Sequence, residues 1–554
     1  MPPTPAQFQQ LAHDWVNAYE GDASALDRLN THYERSFTVA DLKAEIWRRI
    51  YAFRQRSSKV EKNYLQLAEA QLLLAQDAGF GNWEDVLAAA AKGESAPGPH
   101  YALSGSTIAP RRRLTRGEWD DLIAIAREHR VTTIEAEGLM TDDVLRKIAT
   151  LDHITRLRIA GSREMSEAGL LLLAGMPQLE HLQLGGYPGT RINDASLEVF
   201  RHLPNLREFE MTWQAGVSDA GVANLRFCDK LESVDLMGSP TGNGALEALQ
   251  GKRHLRRIHM GRMVTDAGFR FLPNFPLLTA PSPGASLLLD GPFTGEGLAS
   301  LAGLAGIHEL DLFWHVSELT PAAFAHLAHI PNLQQLGADG KLASDEAMPH
   351  IAAVPRLRKL RIQESIATED GFVALAKSRS LESVWGRVCP NFGDRAFLAF
   401  AAIPTLQGMG IGLAKVSDAA LAALPHFPAL RELTPIGLTD PGFVHVGQCR
   451  DLQRLTCMYC RDTTDTATEH IANLGIRYYY AGLTKITDRS LRILGGMHSL
   501  EQIDLYECLG ITDAGLPYIA ALPNLKEVHL DGLPHVTLEG TTVFRPPVRV
   551  LHSL

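Results

Sequence analysis

The feature that most constrains this chain is a repeat. The segment Ile511-Thr512-Asp513-Ala514-Gly515-Leu516 returns, with substitutions, as Val217-Ser218-Asp219-Ala220-Gly221, Val264-Thr265-Asp266-Ala267-Gly268 and Val416-Ser417-Asp418-Ala419-Ala420. Aligned on the Asp513 slot, 17 copies fall at 142, 167, 194, 219, 243, 266, 295, 321, 345, 369, 394, 418, 440, 465, 488, 513 and 538, a mean spacing close to 25 residues. The longest interval, 266 to 295, contains Pro273, Pro276, Pro281 and Pro283 and reads as an inserted loop. A unit this short cannot bury a hydrophobic face alone, so such units must stack on one another.

A second pattern keeps a fixed phase to the first. Leu500-x-x-Ile503-x-Leu505 precedes slot 513, as Leu179-x-x-Leu182-x-Leu184, Leu231-x-x-Val234-x-Leu236, Leu357-x-x-Leu360-x-Ile362 and Leu525-x-x-Val528-x-Leu530 precede theirs. Alternation with period 2 predicts a short strand with one buried face. After the slot, Leu516, Ile519 and Leu522 recur at helical spacing. Thr512 is placed to cap that helix, and Asp513 in its first turn suits the helix dipole. Eleven of the 17 slots are Asp, which capping explains without catalysis. Pro523 and its equivalents Pro177, Pro204, Pro331, Pro355, Pro404 and Pro428 stop the helix. Each unit is then strand, turn, helix and return. Helices are wider than strands, so the array should bend into a horseshoe with a parallel sheet on its concave side and helices on its convex side.

These residues resemble the leucine-rich repeat family, in the cysteine-containing subclass of F-box-type substrate receptors and many bacterial proteins. The resemblance covers roughly residues 114–554. Cys228 and Cys449 hold that subclass's slot before the strand, and Cys389, Cys460 and Cys508 the slot after it. It implies an α/β solenoid of about 17 repeats that works by interaction, as a scaffold or a substrate-receptor-like adaptor.

Residues 1–93 lack the repeat. Helical spacing of Phe8, Leu11 and Trp15, then of Leu42, Ile46 and Ile50, predicts a small all-α domain. The stretch Glu69–Ala75 followed by Gly79–Trp83 is similar to a helical segment beside repeats in bacterial proteins. No F-box pattern is evident. Residues 94–113 read as a Gly, Ser and Pro linker. From Leu114 an amphipathic helix with Trp119, Leu122 and Ile125 leads to a first strand, Val131-x-x-Ile134-x-Ala136, and Val548–Leu551 forms a last one.

Composition narrows the function. Lys+Arg 53 against Asp+Glu 63 gives a net charge of −10, which disfavours a general nucleic-acid binder. Six cysteines among 554 residues are too few for a disulfide scaffold. The opening residues lack the order of a secretory signal, and no apolar run is long enough to cross a bilayer. The expectation is a cytoplasmic protein with no membrane contact.

Chemistry-bearing motifs are weak. Cys457-x-x-Cys460, with Cys449 nearby, has the form of half a zinc site or a redox pair. Its repeat phase instead buries both thiols, and no second pair completes four ligands. Histidines such as His326, His329 and His350 sit beside helix ends. No phosphate loop, nucleophile elbow or dinucleotide fingerprint occurs, so no enzyme activity, cofactor or metal is expected. The basic run Arg48, Arg49, Arg54, Arg56, Lys59 and Lys62, with Glu45 and Glu61, reads as a solvated helix face.

The open face of the predicted sheet is more informative. Its column reads Glu135, Arg158, Gln183, Glu210, Asp235, His259, then Asp311, Gly337, Arg361, Trp385, Gly410, Thr434, Thr456, Tyr480, Asp504 and His529. Trp, Tyr and Arg anchor protein interfaces. Two clusters are expected to bind. One holds Trp213, Asp235, His259, Asp311, Phe313 and Trp314; the other holds Trp385, Arg387, Tyr459, Tyr478, Tyr480 and Tyr506, with Arg361 between them in the column. The leading expectation is a non-enzymatic scaffold that takes a protein or peptide on this concave face. The alternatives are a ligand-sensing receptor, with a pocket at 273–292 and the helical domain as output, or an enzyme centred in the helical domain.

Overall fold

The computed structural model describes residues 3–56, 64–96, 98–186, 190–457, 459–537 and 539–551, with the backbone alone at 51–56. Slot 538 and the residues Lys59, Glu61 and Lys62 of the basic run lie outside the described residues, as do the side chains of Arg54 and Arg56. The chain divides into two compact units, Met1–Pro292 and Phe293–Leu554.

The first unit opens with five helices: α1 (Pro5–Glu20), α2 (Ala23–His32), α3 (Val39–Arg56), α4 (Leu67–Ala78) and α5 (Trp83–Lys92). Thr4 caps α1 through a reciprocal box with Gln7, and Gly21 ends it in the left-handed conformation. The apolar stripes of these helices meet in one core. Leu11, Trp15, Leu29, Leu42, Ile46, Ile50, Leu73 and Leu74 are all buried in it.

The expected linker holds structure of its own. Strands β1 (Tyr101–Ser104) and β2 (Thr107–Pro110) form an antiparallel hairpin. Its second strand pairs in parallel with β3 (Thr133–Glu135), after helix α6 (Arg116–Glu128). The physical reason is the exposed edge of β3, whose N–H and C=O groups take a covering strand. Pairing continues in parallel through β4 (Arg156–Arg158), β5 (His181–Gln183), β6 (Glu208–Glu210), β7 (Ser233–Asp235), β8 (Arg257–His259) and β9 (Ala285–Leu289).

The second unit repeats the plan. Its parallel strands are β10 (Ile307–Leu312), β11 (Gln335–Ala338), β12 (Lys359–Gln363), β13 (Ser383–Arg387), β14 (Gly408–Gly412), β15 (Glu432–Ile436), β16 (Arg454–Thr456), β17 (Tyr478–Tyr480), β18 (Gln502–Asp504), β19 (Glu527–His529) and β20 (Arg549–Leu551). In both units the inward strand residues, such as Leu182, Val234, Leu455 and Ile503, are completely buried. Several repeat helices are 3-10 rather than α, including Ala195–His202 and Pro321–His329. The tighter winding suits a segment of two or three turns that a proline or a return loop cuts short.

The Asp slot does more than the sequence implies. Thr487 caps the helix of its repeat, and the carboxylate of Asp465 one repeat earlier accepts both the Thr487 N–H at 2.8 Å and its hydroxyl at 2.7 Å. The same pair of hydrogen bonds joins Asp142 to Ser166, Asp194 to Ser218, Asp345 to Thr368, Asp394 to Ser417, Asp440 to Thr464, Asp488 to Thr512 and Asp513 to Thr537. Ser166, Ser218, Thr368, Ser417, Thr464 and Thr487 are the N-caps of their helices, so there the Asp is a staple to the next cap, while Thr512 and Thr537 are held in the turn just before theirs. The glycine two residues past the slot makes room for it: a Cβ on Gly515 would lie 2.3 Å from an Asp488 oxygen.

Candidate interaction surface

The column residues project from the open face, and neighbours bond to one another. In the first unit Arg158 reaches Glu135 at 3.2 Å and Gln183 at 2.8 Å, and Gln183 donates to Glu210 at 3.1 Å. Next, Asp235 lies 3.0 Å from His259 Nδ1, and His259 Nε2 lies 3.1 Å from the Ser286 hydroxyl. Arg257 and the Met237 N–H also bond Asp235. Burial alone would raise that carboxyl, but the bonds from His259, Arg257 and Met237 hold it below the ordinary range. The order Asp, His, Ser matches a nucleophile relay. The backbone N–H groups of these neighbouring strands are taken up by the parallel ladder. The Asp-to-His step also recurs at Asp504 and His529, 3.3 Å apart.

In the second unit Arg361 bridges Asp311 at 2.8 Å and Asp339 at 3.2 Å. Its path to Asp311 crosses β11 at Gly337, where a Cβ would lie 1.9 Å from the Asp311 oxygen and 2.5 Å from the guanidinium. Burial raises the Asp339 carboxyl against the pull of Arg361. The Trp385 ring lies across Gly410, within 2.3 Å of where a Cβ would stand, and the Tyr459 ring packs beside it with centroids 5.9 Å apart. Arg454 sits 4.1 Å over the Tyr478 ring. Tyr480 is in register with Asp504, which burial pushes up to about 6. The Tyr506 N–H donates to Asp504. Arg387 keeps its Nε buried without a hydrogen-bond partner among the described residues.

Phe313 and Trp314 lie beyond the strand rather than on it. They stack at 5.2 Å with planes 3° apart, and Trp314 is 58% exposed. A depression of about 370 Å³ beside them is lined by Val316, Asp339, Gly340 and Glu364 among others. A second, of about 290 Å³ in the first unit, lies between Glu208, Glu232, Arg256 and Arg257. Neither is lined by the insertion at 273–292.

Three residues beyond each column position the backbone repeatedly turns left-handed. Gly138, Gly161, Gly186, Gly238, Gly340, Gly437 and Gly532 take this place at low cost, whereas Trp213, Glu364, Val388, Leu483 and Glu507 take it at φ between 54 and 68°. A side chain there costs roughly 1–2 kcal/mol. The Trp213 ring lies over Gly238. The regular glycines were visible in the sequence, so these exceptions were legible once the phase was known.

The helical domain's own contacts were not legible. Arg48 is largely covered: its guanidinium lies over Gly138, where a Cβ would come within 2.2 Å of it, and its Cδ lies over Gly161, where a Cβ would come within 2.8 Å. Arg49 pairs with Asp77 at 2.9 Å. Asp41 bonds Arg163 at 2.6 Å and Arg191 at 3.0 Å. Arg113 pairs with Glu164, and its guanidinium stacks on Tyr33. Of the basic run, Arg48 and Arg49 thus make internal contacts, Arg48 on the glycines of the repeat and Arg49 within the helical domain.

The six cysteines are buried and unpaired. The thiols of Cys460 and Cys508 bond the carbonyls of Pro435 and Ala481, one repeat earlier. Among the described residues no group of three or more His, Cys, Asp or Glu is placed to hold a metal, and no helix is long and apolar enough to cross a membrane.

Together the parallel ladder, the period near 25 residues and the recurrent turn define a leucine-rich repeat solenoid preceded by helices. No family model matches the chain. Among solved structures, the Rad7 and Elc1 complex in yeast is similar at 15% identity over 79% of this chain and 88% of that one, with a TM-score of 0.29. The TLR13–ssRNA13 complex is similar at 14% identity over 78% and 60%, with a TM-score of 0.37. An internalin from Listeria monocytogenes is similar at 12% over 80% and 89%, with a TM-score of 0.24. These likenesses are too distant to carry an argument, and the fold rests on the repeat geometry itself.

Proposed function

We propose that this chain is a non-enzymatic scaffold that receives a protein or peptide segment on the open, concave face of its second unit. The observation that carries this reading is the Trp385 ring laid across Gly410 with Tyr459 against it. The ring is half-buried, so the sheet offers a pre-ordered aromatic platform that loses little entropy on binding. Tyr478 with Arg454, and Tyr480, extend the same face in residue types that anchor interfaces. Arg361, fixed by two carboxylates, adds a rigid charge.

The reading takes 1–93 as a helical domain clamped to the array and 114–554 as the repeats. It includes a cytoplasmic setting, which six unpaired buried thiols favour, and the cysteine-containing subclass, whose two thiol slots are filled. The test is affinity capture with the intact chain, followed by quantitative binding of the captured protein. Replacing Trp385 and Tyr480 with Ala should weaken binding by about a hundredfold, the scale of two interface anchors. Undiminished binding by that variant refutes the assignment of this face.

A further inference from the structure

The helical domain shows how this array accepts a helix. Asp41 near the start of α3 meets Arg163 and Arg191, in the loops after β4 and β5. Seven residues on, Arg48 lies over Gly138 and Gly161, after β3 and β4. Seven helical residues span about 10 Å, and from the β5 loop of Arg191 to the β3 loop of Gly138, the outer ends of these contacts, two strand spacings also span about 10 Å. So α3 lies across the post-strand loops, against strand order, with its arginine on the left-handed glycines.

The second unit carries the same phase in altered form. Three residues beyond Asp311, Gly337, Arg361 and Trp385 stand Trp314, Gly340, Glu364 and Val388, one on each of four consecutive strand ends, a row about 14 Å long. Trp314 and Val388 are 58% and 55% exposed, and neighbouring Ile366 is 55% exposed. Between Trp314 and Glu364 the row dips at Gly340 into the 370 Å³ depression. The Glu364 side chain is exposed and finds no cation among the described residues, while the Lys341 ammonium bonds the Ser317 carbonyl. Glu364 and Val388 hold left-handed backbone at φ 55 and 57°. A β-branched residue there is an outlier, and Val388 is too exposed for packing to explain it.

We propose that this rim is a docking site for an amphipathic helix of a partner, apolar toward Trp314, Ile366 and Val388, with a Lys or Arg placed over Gly340 against Glu364. The internal precedent of α3 sets the geometry, and Glu364 sets the charge. This rim site lies on the post-strand loops rather than on the Trp385 platform, and it stands or falls separately.

The probe is a display library of amphipathic helices the length of α3, 18 residues, selected on the full chain. Enriched helices should share a Lys or Arg at fixed spacing from aliphatic or aromatic residues. Their affinity should fall at least about tenfold with Trp314→Ala and with Glu364→Gln, the scale of one interface anchor. Glu364→Lys should abolish binding, and exchanging the peptide's cation for Glu should restore it. Val388→Gly should weaken binding without lowering the melting temperature. Trp385→Ala should leave it unchanged. An absence of enrichment, or helices indifferent to Trp314 and Glu364, overturns the proposal. Helices lost with Trp385→Ala alone also overturn it, while supporting the platform on the open face.

Discussion

Replacing Asp465 with Ala probes what couples one repeat to the next. Its carboxylate accepts the Thr487 N–H at 2.8 Å, the Thr487 hydroxyl at 2.7 Å and the Ser490 hydroxyl at 2.5 Å. Ser490 is fully buried, with Thr468 as its other hydroxyl partner at 2.9 Å. Hydrogen bonds to a charged group contribute roughly 1.5–3 kcal/mol each, less where water can replace them. Thr487 has such access and Ser490 does not, so the loss should be about 3 kcal/mol. In a solenoid the damage stays near the broken interface. Hydrogen exchange of the amides in Asp488–Leu494 should therefore accelerate about a hundredfold, since each 1.4 kcal/mol is a factor of ten. Asp462→Ala is the control, because its ion pair with Lys485 is solvent-exposed and its loss should leave exchange unchanged. Burial raises the Asp465 carboxyl, but the bonds from Ser490 and Thr487 outweigh that and hold it below its ordinary value. The contribution is thus complete above the unfolded value of about 4 and is lost as pH falls through the lower folded value. Acceleration by less than about threefold at pH 7, under about 0.7 kcal/mol, would refute the staple as a coupling element.

Other consequences follow from the same geometry. Arg361→Met should cost about 3 kcal/mol in guanidine melts at pH 7, because it leaves the buried Asp339 without a cation. The raised Asp339 carboxyl takes up a proton as pH falls, so the deficit should shrink at pH near 4.5; an unchanged deficit contradicts the burial argument. Asp41→Asn should loosen the helical domain by about 2 kcal/mol, read as faster limited proteolysis between α2 and α3. Thr38→Ala separates the local share, since Thr38 bonds Asp41 but not the repeats; equal effects from both would dismiss the clamp. Burial pushes Cys228 and Cys449 up to about 12 and Cys389 and Cys508 up to about 11, so these thiols should resist Ellman's reagent at pH 8 until the chain unfolds. Rapid labelling of the native chain would contradict that.

The legible part of this protein was what recurs. Strand phase could be read because Leu182 and Ile503 must point inward in every copy, and the post-strand cysteines could be placed because they share that phase. The open-face column followed from the alternation of side chains on a strand. What it does could not follow, since the Trp385 ring occupies its place only because Gly410 on the next strand leaves room. Proximity in sequence groups Trp213, Phe313 and Trp314 with the face, whereas the turn after each strand carries them beyond it. The 94–113 segment looked like a linker because four-residue strands leave little periodic signal.

The sequence by itself determined the repeat, its period, the inward residues and the helical character of the first 93 residues. Those are properties of local spacing, and burial enforces them in each copy. Only the tertiary structure decided that the Asp slots staple the next cap, that Arg361 crosses a glycine to reach Asp311, and that Arg48 and Asp41 clamp the helices to the repeats. Each of these joins groups on different repeats or different domains, and distance along the chain leaves no trace of which polar groups stacking will bring within hydrogen-bond reach.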